Sequence, residues 1–332
     1  MDELLKIEDL SISYITHEGE TKAVNNLDLK VGRGETLGFV GETGAGKTTT
    51  ALGIMRLVPD PPGKITGGKI FFAGENILEK SEKEMESIRG NKISMIFQDP
   101  MTSLNPVMTV GDQIKEVLEL HQNLKKEDLN EKVAEMLEVV GIKRERVKDY
   151  PHQFSGGMKQ RVVIAMALAC NPELIIADEP TTALDVTIQA QVLELMIDLK
   201  KKYNTSMIMI THDLGIVAEI CDNVAIMYAG SVVEYGSVKE IYTNPKHPYT
   251  IGLFNSIPKL DDDEEKLHVI KGMPPNPVDL PSGCRFHPRC DFATARCAKE
   301  APSMYDLGEG HCTACFLFDG KTAESEKEQT NE

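Results

Sequence analysis

The stretch Gly41-Glu42-Thr43-Gly44-Ala45-Gly46-Lys47-Thr48 constrains this chain more than any other, because it sets out the parts of a phosphate cradle in order, directly after the apolar run Thr36-Leu37-Gly38-Phe39-Val40. Glycines let successive backbone N–H groups turn inward on a polyanion. Lys47 then reaches the outer phosphates, the Thr48 hydroxyl is a ligand for Mg²⁺, and with Thr49 the chain passes into the N-terminus of a helix, whose dipole favours negative charge. A strand, a phosphate loop and a helix in that order predict an α/β layer with its ligand at the carboxyl edge of the strands.

At 332 residues the chain exceeds one comfortable core, so a large domain with an appendage is expected. The formal net charge of −16 opposes a sequence-independent grip on nucleic acid, which depends on neutralising phosphates with Lys and Arg. No nucleic-acid partner is therefore expected. No basic-then-apolar segment opens the chain, and the longest apolar run, Val162 to Cys170, falls well short of the ~20 residues that span a bilayer. Folding in the cytosol is expected. In a reducing compartment the seven cysteines are free or metal-bound rather than paired, and the five from Cys284 to Cys315 make the last fifth chemically distinct.

Between residues 5 and 40, short β-rich pieces at Leu10–Tyr14, Leu27–Val31 and Thr36–Val40 predict antiparallel strands leading into the loop. Leu129, Val133, Met136, Leu137 and Val140 follow helical spacing up to Gly141, within a mostly helical insert near 105–155. Leu174–Ala177 and Met207–Ile210 are continuous apolar runs of the kind buried on both faces of a parallel sheet. Ile188, Val192, Leu195 and Leu199 predict a helix between them, with Lys200, Lys201 and Lys202 at its carboxyl end. After about residue 245 the texture changes to prolines, an acidic run at Asp261–Glu265, and then the cysteines. The polar residues 320–332 are expected to be disordered.

Asp178-Glu179 ends the apolar run from Leu174, so both carboxylates are expected at a ligand-binding strand edge. Asp178 can hold the Mg²⁺ shell, and Glu179 can accept a proton from a water aligned on the terminal phosphorus. Gln98 in Phe97-Gln98-Asp99-Pro100, Phe154-Ser155-Gly156-Gly157-Met158, Ala183-Leu184-Asp185 and Thr211-His212-Asp213 then follow in an order that resembles the ABC-type ATPases, over residues 5–245. That resemblance implies a RecA-like α/β core, an antiparallel β subdomain and a helical subdomain at about 105–160. It also implies that ATP is held by Tyr14, stacked on adenine, and by the loop, with Thr48, Gln98 and Asp178 on Mg²⁺ and His212 on the γ-phosphate. In such proteins the Ser155-Gly156-Gly157 turn of one subunit closes over ATP held by another, and Asp185 works across the dimer seam. Phe154 and Met158 depart from the commonest Leu-Ser-Gly-Gly-Gln form of that turn.

Cys284, Cys290, Cys297 and Cys315 are spaced C-x5-C-x6-C-x17-C, with Cys312 as a fifth candidate; soft thiolates suit zinc or an iron–sulfur cluster, and the spacing leaves both open. Cys170 and Cys221 read as core residues. The phrases Asn244–Thr250, Gly283–Cys290 and Gly310-His311 resemble the C-terminal extension of dipeptide and oligopeptide importer ATPases, which are similar to this chain almost end to end. That narrower resemblance implies a domain at 1–245 and a Cys-rich domain at 246–319 holding a [4Fe–4S] cluster through Cys284, Cys290, Cys297 and Cys315. It further implies an ATP-hydrolysing subunit at the cytoplasmic face of the membrane, paired with a like or unlike ATPase subunit and two transmembrane permeases, and served by an extracytoplasmic peptide-binding protein. Nickel or glutathione as cargo, or a soluble ATPase without a permease, are the alternatives. Met101 and Leu104 are expected to be exposed and to help form the permease docking groove.

Overall fold

A computed structural model describes residues 2–17, 19–182, 184–256 and 270–320, apart from the side chains of Pro100 and Met101. The chain forms two compact units, and neither is continuous in sequence. One takes in Leu5–Lys30, Leu37–Phe72 and the described residues from Thr211 onward; the other takes in Val31–Thr36, Ala73–Ile210 and the amino-terminal residues up to Leu4.

In chain order the first elements are β1 (Glu3–Thr16), β2 (Gly19–Gly32), β3 (Thr36–Val40), α1 (Lys47–Ile54) and β4 (Gly63–Phe72). β1 pairs antiparallel with β4 from Leu5↔Phe72 to Tyr14↔Gly63, and β2 lies on its other side; the first two β-rich pieces supply β1 and β2, whereas the third becomes β3 of a different sheet and β4 was not foreseen. Leu5, Ile7, Leu10 and Ile12 are buried along β1. β3 is buried at every residue.

Next come β5 (Glu75–Asn76), α2 (Glu82–Ile88), β6 (Ile93–Ile96), α3 (Pro100–Ser103), α4 (Val110–His121), α5 (Lys126–Val139), α6 (Gly156–Leu168), β7 (Leu174–Asp178), α7 (Val186–Tyr203) and β8 (Ser206–Ile210). β6, β7 and β8 run parallel in that order, and the apolar runs at 174 and 207 supply the buried strands. α5 buries Leu129, Val133, Met136 and Leu137, the stripe expected from the sequence, and Gly141 follows it at φ +76°. The Asp185 carboxylate caps α7 by accepting the Ile188 amide, the helix closes on Asn204 in the left-handed region, and its three lysines occupy the last turn.

The remaining elements are α8 (Leu214–Ile220), β9 (Asn223–Tyr228), β10 (Ser231–Ser237), α9 (Val238–Thr243), α10 (Pro248–Asn255), β11 (Tyr305–Asp306) and β12 (Cys312–Thr313). β9 runs parallel to β3 and antiparallel to β10; β12 then adds to β10, and β11 to β12. A core of Val40, Leu214, Val217, Val224, Ile226, Tyr228, Ile241, Tyr249 and Phe286 ties this unit together. The acidic run Asp261–Glu265 and the tail beyond Gly320 lie outside the described residues. Cys170 is buried, whereas Cys221 is only half-buried.

One expectation is corrected. Leu104 is only 4% exposed, so it belongs to the core and cannot serve as an exposed docking residue. Among the described side chains of this stretch the exposed large apolar ones are Phe97 and Val107; that of Met101 lies outside the described residues.

Candidate active site

The phosphate loop joins β3 to α1 with a backbone that excludes side chains. A Cβ at Gly41 would meet the Met227 carbonyl oxygen at 2.2 Å, and one at Gly46, where φ is +105°, would meet the Ala23 oxygen at 2.4 Å. Gly46 also stands at the N-cap of α1, so the first-turn amides of that helix receive no side-chain cap. A helix start left open in this way suits an anion. Lys47 is buried and donates from Nζ to the carbonyls of Gly41 (2.6 Å) and Glu42 (3.1 Å), lying along the loop it would serve. Thr43, Gly44 and Thr48 are exposed, whereas Ala45 is buried. Tyr14 sits half-buried on β1 opposite Gly63, with its ring edge where a Cβ at residue 63 would fall.

In the other unit, Asp178 closes β7 and is buried, level with Ile210 at the end of β8. Glu179 follows in the left-handed region at φ +45°, its amide donating to the Ile210 carbonyl at 2.8 Å. A non-glycine residue held there is strained, and strain of this kind gathers at functional sites. The Glu179 carboxylate accepts from Thr182 Oγ1 (2.9 Å) and from Gln98 Nε2 (3.3 Å), so the structure brings Gln98 and Glu179 into direct contact. His212 is exposed, two residues along the chain from Ile210, and Asp213 after it caps α8.

Ser155 caps α6, its Oγ accepting the Met158 amide at 3.4 Å. A Cβ at Gly157 would meet Ile188 Cγ2 at 2.3 Å, so glycine is required there for packing; Gly156 has ordinary clearance. The departures at Phe154 and Met158 share one neighbour. The Arg146 guanidinium lies 4.1 Å over the Phe154 ring and donates to the Met158 sulfur at 3.5 Å, while it pairs with Asp149 and caps the Gln153 carbonyl. Nothing in the sequence reading pointed to Arg146.

Cys284, Cys290, Cys297 and Cys315 line one cavity of about 190 Å³ together with Phe286, Phe292, Phe316 and Leu317. Cys312 is absent from that lining; it pairs along β12 with Tyr235 and borders a larger cavity that Cys284 also lines. The Cys284, Cys290 and Cys315 sulfurs receive backbone hydrogen bonds from Phe286, Phe292 and Leu317, each two residues further on, and the Thr294 amide reaches Cys297 Sγ at 3.5 Å. Burial pushes all three of those thiols up, Cys315 to about 11, and the charges of the neighbouring cysteines push the same way. Among the described residues, no three His, Cys, Asp or Glu side chains converge closely enough to hold a single metal ion. No described helix is long and apolar enough to cross a membrane.

A loop, a strand-end acid pair and a serine–diglycine helix start of this kind define a nucleotide-binding cassette, and comparison with known proteins bears this out. The ABC transporter family profile matches residues 24–182, and that of the oligopeptide/dipeptide transporter C-terminal region matches residues 233–297. The chain is 52% identical to the oligopeptide transport ATP-binding protein OppD of Bacillus subtilis over 95% of its own length and 89% of that protein. It is 51% identical to the Escherichia coli OppD over 95% and 93%, respectively. A dimeric ATP-binding cassette, MJ0796, solved in a post-hydrolysis state with ADP and phosphate, superposes with a TM-score of 0.63 at 26% identity, covering 70% of this chain and 98% of its own. The chain belongs to the ATP-binding proteins of the oligopeptide/dipeptide branch of the ABC transporter family.

Proposed function

We propose that this chain hydrolyses ATP to energise the import of dipeptides or oligopeptides through a membrane permease. The observation that carries this reading is identity near one half over almost the full length of oligopeptide transport ATP-binding proteins. On this reading the amides of Gly44 to Thr48 and the Lys47 ammonium cradle the phosphates, and Tyr14 stacks on the base. Thr48, Gln98 and Asp178 offer the hard oxygen ligands that Mg²⁺ prefers, and the bound ion neutralises phosphate charge. Glu179, oriented by Thr182 and Gln98, takes the proton of the attacking water, and His212 contacts the γ-phosphate. Ser155, Gly156 and Gly157 cover the phosphate of a second ATPase subunit, like or unlike this one, with Asp185 at the seam. The pair docks on two permeases at the cytoplasmic face through the surface from Gln98 to Pro106, which the exposed Phe97 and Val107 flank in sequence; an extracytoplasmic binding protein delivers the cargo. The test is uptake of a labelled oligopeptide by cells that carry this chain as their sole copy. Glu179→Gln should abolish uptake and trap an ATP-bound dimer, and normal uptake by that variant would overturn the reading.

The four cysteines are further proposed to hold a [4Fe–4S] cluster. In such a cluster each thiolate binds its own iron, so the sulfurs ring a cavity instead of meeting at a point. Tetrahedral zinc would gather all four within ~2.3 Å of one ion. The cavity exceeds many times over the ~10–15 Å³ that admits one water, and amides aimed at the sulfurs suit metal-bound thiolates. When bound, the cluster supplies a structural clamp for a segment too small to build its own core. Anaerobically purified protein should show a broad absorbance near ~400 nm, and a colourless protein carrying one zinc per chain would overturn this assignment.

A further inference from the structure

The phosphate loop is gripped from outside by residues of the C-terminal segment, at the one loop position that carries an acid. Glu42 is held by three separate handles. Its amide donates to the Tyr249 hydroxyl at 3.0 Å. Its carbonyl accepts from Lys47 Nζ. Its carboxylate is clasped by Arg289, with Nη1 to Oε2 at 2.9 Å and Nη2 to Oε1 at 3.1 Å. The Arg289 fork is itself fully committed, because Nε donates to the Lys271 carbonyl and Nη1 also reaches the Tyr228 hydroxyl. The Arg289 side chain is 6% exposed. Tyr249 is fully buried and packs against Tyr228 and Phe286 with ring centroids 4.6 and 5.5 Å apart, so its hydroxyl is aimed by a rigid aromatic cluster.

We infer that Arg289 and Tyr249 are positioning residues for nucleotide binding, acting through Glu42 on the phosphate loop. This rests on the proposed reading of that loop as the ATP cradle. Two physical effects are involved. Fixing the amide and carboxylate of residue 42 settles the first shoulder of the loop before the ligand arrives, which lowers the ordering cost of binding. The guanidinium also neutralises a carboxylate that would otherwise sit uncompensated beside a polyphosphate, and its planar fork does this with a geometry that lysine cannot reproduce. Arg289 immediately precedes Cys290 and closes the 3-10 turn His287–Arg289, so the order of the cysteine-bearing segment reaches the cradle directly through this side chain.

The test is steady-state ATP hydrolysis by the full chain assembled with its permease and ATPase partners. Arg289→Met should raise the KM for ATP by about tenfold, the scale of one lost charge-assisted interaction, with kcat held within about twofold. Adding Glu42→Gln to that variant removes the stranded charge and should recover most of the affinity, which a merely structural role for Arg289 would not allow. Arg289→Lys should not rescue. If Arg289→Met fails to fold, Tyr249→Phe carries the test with a rise of about threefold. An unchanged KM, or a double variant no better than Arg289→Met, overturns the inference. A Lys47→Ala control separates the two readings. If it also leaves hydrolysis intact, the loop is not the nucleotide site; if it abolishes hydrolysis while Arg289→Met has no effect, only the positioning role falls.

Discussion

In Ala73–Ile210, strands β6, β7 and β8 and the helices that follow them bury long apolar side chains such as Ile96, Leu118, Leu137, Ile176 and Leu199. Between 270 and 320, by contrast, Phe286 and Leu307 are the only buried hydrophobic residues among those described. Polar contacts hold that segment instead. His311 Nε2 meets the fully buried Glu234 carboxylate at 2.7 Å, the same carboxylate accepts the amides of Lys246 and His247, and Arg296 pairs with Glu300 and Asp319 while lying over the Phe316 ring. Hydrophobic burial is non-directional and tolerates small changes, whereas a buried polar network fails as a unit when one member is removed. About fifty residues cannot bury enough surface alone, so the segment is fastened by specific bonds and, on the proposed reading, by a metal cluster.

The contrast is broken first at the chemistry, at an acid carried by Ala73–Ile210. Glu179→Gln is expected to lower kcat by about 10²–10⁴-fold with little change in melting temperature, measured by phosphate release and calorimetry. Next comes the polar hub. Glu234→Ala strands His311 and two amides, and should cost about 3–5 kcal/mol in denaturant unfolding, with early proteolytic loss of the C-terminal segment. A third effect depends on pH. His247 is buried as the neutral imidazole, its Nδ1 accepting the Tyr249 amide, and burial lowers its pKa to about 4 even though Glu234 pulls the other way. The unfolded chain takes up this proton near ~6.5. Between about pH 6.5 and 4 the unfolded state therefore binds more protons, and this contribution, complete above pH 7, declines as pH falls by up to about 3 kcal/mol. Unfolding curves at several pH values for the parent and His247→Gln should diverge across that window. The smallest effect sharpens the comparison from the other side. Gln160 on α6 is fully buried, and among the described residues neither polar atom of its amide has a partner. Gln160→Met should therefore stabilise the protein by about 1 kcal/mol, the reverse of what polar removal does at Glu234.

Much of the strand-rich architecture is legible from pattern. The apolar runs at 174 and 207 became β7 and β8, the stripe from Leu129 became the buried face of α5, and the triple-lysine end of α7 falls where its dipole requires. The loop and the Asp178-Glu179 pair were readable because their spacing along the chain is the chemistry. Leu104 was misread because apolar residues in a turn-rich stretch carry no periodicity that assigns a face. The grip on Glu42 was not legible at all: Arg289 lies 247 positions away, and both it and Tyr249 stood out only as parts of family phrases. The grouping of the cysteines was equally hidden, since nothing in C-x5-C-x6-C-x17-C says that Cys312 stays out of the lining the other four share.

What the sequence determined by itself is everything set by local order: strand, loop and helix around the phosphate cradle, the acids at a strand end, and the helix and strand periods, because backbone geometry couples only near neighbours. What the tertiary structure alone decided is which distant polar groups meet, namely Arg289 with Glu42, His311 with Glu234, and four cysteines around one cavity. Those encounters depend on long-range packing, whose directions no spacing along the chain records.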